Sequence, residues 1–67
     1  MTLKEINAAL GRARSALQVA HDRERLARAR VAAGPATRLV KDAFYAAIDA
    51  RKLIEQRVSE LEKEKPR

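Results

Sequence analysis

The stretch Ala33-Gly34-Pro35-Ala36-Thr37 restricts the fold of this chain more than any other. Gly34 can take the left-handed conformation that closes a helix without steric penalty. Pro35 has no N–H and cannot continue that helix, but its fixed φ suits the first turn of the next one. Thr37 offers a second possible N-cap. The residues on both sides repeat with helical periodicity. The chain is therefore expected to be all-α, a single-domain antiparallel hairpin. Helix 1 is expected at about 2–33, the hinge at about 34–37 and helix 2 at about 36–64, with a frayed, charged tail at 65–67 in which Pro66 marks the end of helix.

The first helix opens on Thr2-Leu3-Lys4-Glu5, which fits a capping box: the Thr2 hydroxyl accepts from the Glu5 N–H and the Glu5 carboxylate reaches back. Leu3, Ile6, Leu10, Ala13, Leu17, Ala20, Ala27 and Val31 then recur in alternating steps of three and four, a heptad stripe. Ala9 and Ala16 widen one side of it. Gly11 lies off the stripe, as a close backbone approach or as a weak spot costing up to about 1 kcal/mol against Ala. Glu24 interrupts the stripe. Val19 and Leu26, seven residues apart, fall on the opposite face. They read either as scattered exposed apolar residues, which are normal on monomers, or as a small second contact surface.

The second helix carries too much apolar surface for one neighbour. Its apolar positions span an arc of about 220° at 100° per residue, against a stripe of about 100° for a helix with a single partner. Leu39, Ala46 and Leu53 mark one edge and Phe44 and Ile48 the other. A short hinge makes the helices antiparallel. It sets Leu39 opposite Val31, Ala43 and Phe44 opposite Ala27, Ala47 and Ala50 opposite Ala20, and Leu61 opposite Leu10. Alanines fill the middle and larger residues gather toward the ends. Such a hairpin is expected either to pair with a second copy as a homodimeric four-helix bundle, the commonest closed solution for identical subunits being twofold, or to dock on a different protein. The plan resembles the small plasmid-type hairpins that dimerise into four-helix bundles, a likeness of architecture with no matched motif.

Charged residues inside the apolar stripes are the next signal. In the antiparallel register Arg51 stands one turn beyond the level of Glu24, and helical side chains lean toward their own N-terminus. The pair is expected to meet and to fix register and partner choice, as polar groups do in coiled coils; the alternative is that both snorkel to the rim on their stems.

Fifteen Lys and Arg against nine Asp and Glu give a net charge of +6. That permits an acidic partner, or reflects an arginine- and alanine-rich composition on a solvated helix. The hinge end is the basic one, with Arg23, Arg25, Arg28 and Arg30 before the hinge and Arg38 and Lys41 after it.

Catalytic chemistry finds no footing. There is no Cys, and neither Ser15 nor Ser59 is set beside the single histidine, His21, as a nucleophile–base pair requires. His21 and Glu24 have i,i+3 spacing but are too few ligands for a metal site. No glycine-rich phosphate loop exists. The chain is read as no enzyme, with no cofactor and no metal. It has no apolar run of membrane-spanning length, its N-terminus lacks the apolar core of a signal peptide, and it is expected to be cytoplasmic.

Three functions remain. The first is a small protein-binding module, an adaptor or inhibitor that docks on a larger protein through Leu39, Phe44, Ile48, Leu53, Val19 and Leu26. The second is a basic dimeric protein that contacts duplex phosphates through Arg23, Arg25, Arg28, Arg30, Arg38 and Lys41. No stacking aromatics are interleaved with these arginines, which argues against single-strand reading. The third is a coiled-coil oligomerisation element.

Overall fold

The computed structural model describes residues 1–65. It is an antiparallel pair of long helices, α1 (Leu3–Ala33) and α2 (Arg38–Lys63), packed into a rod measuring 49 × 15 × 14 Å. The described residues contain no strand. Neither helix is long and apolar enough to cross a membrane.

The ends of both helices follow from local chemistry. Thr2 is the N-cap of α1; its hydroxyl accepts from the Glu5 N–H at 3.2 Å and the Glu5 carboxylate accepts from the Thr2 N–H at 3.4 Å, completing the capping box. At the other end Gly34 has φ 63° and donates its N–H to the Arg30 carbonyl at 3.2 Å. A side chain at that φ would be strained, so the position selects glycine.

The second helix starts two residues later than the sequence suggests. Pro35 does not occupy its first turn. Thr37 is the N-cap, with its hydroxyl accepting from the Val40 N–H at 3.3 Å, and the Thr37 N–H closes a tight turn onto the Pro35 carbonyl at 2.9 Å. A side-chain cap stabilises the boundary more than proline's preset φ does, so Pro35 and Ala36 stay in the linker. Helix α2 ends at Lys63 with Glu64 as its cap. The Pro66 stop and the last residues of the expected tail lie outside the described residues.

Packing is uneven along the rod. The most enclosed apolar cluster, Ile6, Leu10 and Leu61 at 1–2 % exposure, lies at the end far from the hinge, where Ala9, Ala13 and Val58 pack against it. Arg14 and Glu62 pair at 3.1 Å beside it, both half exposed. Along the middle of the rod α1 buries only Ala20 and the carboxylate-bearing Glu24. The reason is residue size: alanines meet there, and each buries little apolar area.

Candidate interaction face

Every residue of this site comes from the two helical flanks left over when α1 and α2 pack on each other. The α2 arc is too wide for α1 to cover, and α1 divides it. On one side Phe44 and Ile48 are half-buried. The Arg28 guanidinium lies over the Phe44 ring, 5.9 Å from its centroid, a cation–π placement, and Tyr45 stacks beside it with ring centroids 6.0 Å apart. Long α1 side chains thus shield this edge, and Gln18, His21, Glu24, Arg25 and Arg28 line a polar hollow there.

The other side is open. A groove of about 670 Å3 runs along it. Its floor is alanine: Ala16, Ala20 and Ala27 from α1, and Ala43, Ala46, Ala47 and Ala50 from α2. On α1 Arg23 and Arg30 border the alanines, with Val19 and Leu26 beyond them at the margin, and Ile54 also lines it. A smaller hollow continues it toward the hinge, bounded by Leu39 and Val40 and sharing Ala27, Arg30 and Ala43. Leu53 follows Ala46 and Ala50 on the same helical row. The large apolar residues of this face are open to solvent: Val19 is 49 % exposed, Leu26 63 %, Leu39 81 % and Leu53 66 %.

Of the six apolar residues singled out for partner binding, four therefore share one face, and Phe44 and Ile48 belong to the opposite one. Val19 and Leu26 lie toward the outer side of α1, beyond Arg23 and Arg30 around the helix, and reach the groove only at its margin.

The six basic residues do not form one row. Arg23 and Arg30 edge the apolar groove, Arg25 and Arg28 line the polar hollow, and Arg38, at the start of α2, faces Asp42 at 3.8 Å.

Glu24 and Arg51 meet. Arg51 Nε is 3.0 Å from Glu24 Oε2, with the side chains 21 % and 11 % exposed, and an Arg51 terminal nitrogen is 2.7 Å from Glu55 Oε1. The Nε is buried and not aligned for a hydrogen bond, so its contact with Glu24 is one of charge, whereas that with Glu55 is a directed hydrogen bond. Glu55 chiefly, and Glu24 after it, hold the Arg51 pKa above its ordinary value while burial opposes them. Glu55 joins the pair through its i,i+4 spacing from Arg51, the one signal for it in the sequence.

Among the described residues no group of three or more His, Cys, Asp or Glu could hold a metal ion. No protein-family model matches this sequence, and comparison with curated proteins and with solved structures finds no match.

Proposed function

We propose that this chain is a small, non-enzymatic, cytoplasmic protein-binding module, an adaptor or inhibitor in type, and that the alanine-floored face is its working surface. The observation that supports it is an open alanine-floored groove reached by Val19 and Leu26 and adjoined by a hollow at Leu39, with Leu53 exposed on the same flank of α2 as Ala46 and Ala50. Contiguous exposed apolar surface of this kind characterises interaction sites. A hairpin that docks groove-first on another pair of helices makes a four-helix bundle, whether that pair belongs to a larger protein or to a second copy of the chain. The duplex-binding reading is less well supported, because four of its six basic residues divide between two sides of the hairpin, Arg23 and Arg30 on one and Arg25 and Arg28 on the other.

The test is capture with the full chain as bait, from lysate and from a co-expressed copy carrying a different tag, with and without nuclease. The expected result is a protein retained after nuclease treatment and lost by the Leu26→Asp, Leu39→Asp variant. Retention that disappears with nuclease, or that the variant leaves intact, overturns the reading. In the first case binding to duplex that falls steeply with salt and weakens on charge reversal at Arg25 and Arg28 would replace it.

A further inference from the structure

The groove face is complementary to itself, and from that we infer that its partner is a second copy of this chain, joined about a twofold axis along the rod with both hinges at the same end. This rests on the groove being a protein-binding surface, and it makes the occupant a second copy of the chain in place of a larger protein.

The argument starts from height along the rod. Ala27 and Ala43 line the same hollow beside Arg30 and Val40, and Leu10 meets Leu61 in the far cluster. The same register sets Arg30 level with Val40 and Arg23 level with Ala47. Arg23 and Arg30 are spaced seven residues apart on the α1 side of the face. Asp42 and Asp49 are spaced seven apart on the outer flank of α2, one helical row beyond Leu39, Ala46 and Leu53. Each aspartate thus lies two residues farther from the hinge than its arginine, about 3 Å of rise.

A twofold axis parallel to the rod lays α1 of one protomer against α2 of the other and preserves those heights. Arg30 then meets the partner's Asp42 and Arg23 meets the partner's Asp49, and symmetry repeats both pairs. Within the single chain none of the ion pairs among the described residues involves Arg23, Arg30 or Asp49, and Asp42 has only its 3.8 Å contact with Arg38. The apolar residues fit in the same arrangement. The partner's Leu53 falls level with Ala16 on the alanine floor, so a large side chain sits over a small one. A twofold axis perpendicular to the rod instead stacks α1 on α1 and brings Arg23 and Arg30 toward their own copies, which like-charge repulsion disfavours. Charged flanks of this kind choose partner and orientation in coiled coils.

Sedimentation of the full chain across a dilution series should give twice the chain mass. Arg23→Glu alone and Asp49→Lys alone should each weaken the dimer by about tenfold or more, since each change turns two symmetric attractions into repulsions. Combining them should restore most of the affinity. The sequence has no Cys, so a spin label on Ala36→Cys reports the distance between hinges without background. Hinges at one end place the labels about 20 Å apart, given helix spacings of about 10 Å; hinges at opposite ends place them near the 49 Å length of the rod. Circular dichroism checks that each variant keeps its helices. A chain that stays monomeric at all concentrations overturns the proposal, as does a charge swap that fails to restore association or a label distance near the rod length. A monomer that still captures another protein through Leu26 and Leu39 refutes the self-pairing and leaves the groove as a binding surface. Loss of capture as well refutes both.

Discussion

Leu10→Ala tests where the hairpin is held together. Leu10 is 1 % exposed and packs with Ile6 and with Leu61 from the other helix, at the end opposite the hinge. Truncating a buried leucine costs about 2–5 kcal/mol, depending on how far the site can collapse. The cluster is small, its three buried residues flanked by Ala9, Ala13 and Val58, so partial collapse around it puts the cost near the lower bound, about 2–3 kcal/mol. A chain of 67 residues has a total stability of about 3–10 kcal/mol, so one substitution removes a large fraction of it. With a urea dependence of about 1 kcal/mol per molar for so small a protein, the midpoint should fall by about 2 M or more, read by helical circular dichroism.

The matched control is Leu39→Ala. Leu39 is 81 % exposed, and the same chemical change should cost under about 0.5 kcal/mol in the isolated hairpin. Association changes the comparison in a defined way. Stability of a dimer depends on protein concentration, whereas a contact inside one protomer costs the same at any concentration. The Leu10→Ala penalty should therefore be constant over a hundredfold dilution, and the Leu39→Ala penalty should grow toward the concentrated end. A Leu10→Ala cost below about 1 kcal/mol would mean that the far cluster does not fasten the helices. Equal costs at the two positions under dilute conditions would mean that Leu39 is covered within its own chain.

Three further outcomes follow from single sites. Gly11 is exposed inside α1, and a Cβ built there meets nothing within 4 Å; Gly11→Ala should stabilise by about 0.5–1 kcal/mol, raising Tm by about 3 °C or more at fixed concentration in differential scanning calorimetry. Thr37→Ala removes the α2 N-cap acceptor and should cost about 1 kcal/mol, with amide exchange quickening at Val40 before anywhere in α1. Arg51→Leu should destabilise more than Glu24→Leu, because it strands the buried Glu24 carboxylate whereas Arg51 keeps Glu55 at 2.7 Å, and adding Glu24→Leu to Arg51→Leu should recover most of the loss; a double-mutant cycle by urea unfolding with zero coupling refutes this. Because the Arg51 pKa is raised on folding, its contribution is complete below the ordinary arginine value and lost only as pH rises through the higher folded value. The stability difference between the wild type and Arg51→Leu should then be free of any arginine titration from about pH 6 to about pH 9.

How much of this was legible in the sequence depends on whether a feature is local. Caps are local, so Thr2 with Glu5 and the Gly34 terminus could be read directly. The start of α2 was misplaced by two residues because Pro35 and Thr37 both qualify, and only the Thr37–Val40 hydrogen bond decides between them. Register was legible because a short hinge ties the two helices at one point, and Leu10 then finds Leu61 without further information. Rotation of each helix about its axis was not, because alanine does little to direct it. A ring of small residues buries nearly the same area at several rotations, so whether α1 covered the Leu39–Leu53 edge or the Phe44–Ile48 edge of α2 could not be worked out from the pattern. The long side chains decide it. Arg51 is directed at Glu24 and Glu55, and Arg28 covers Phe44, so charged side chains gather on the Phe44 side and the opposite edge stays bare. The polar residues inside the stripes therefore do more than fix register. They select which half of an over-wide apolar arc the hairpin keeps for itself, and so which half stays exposed to solvent.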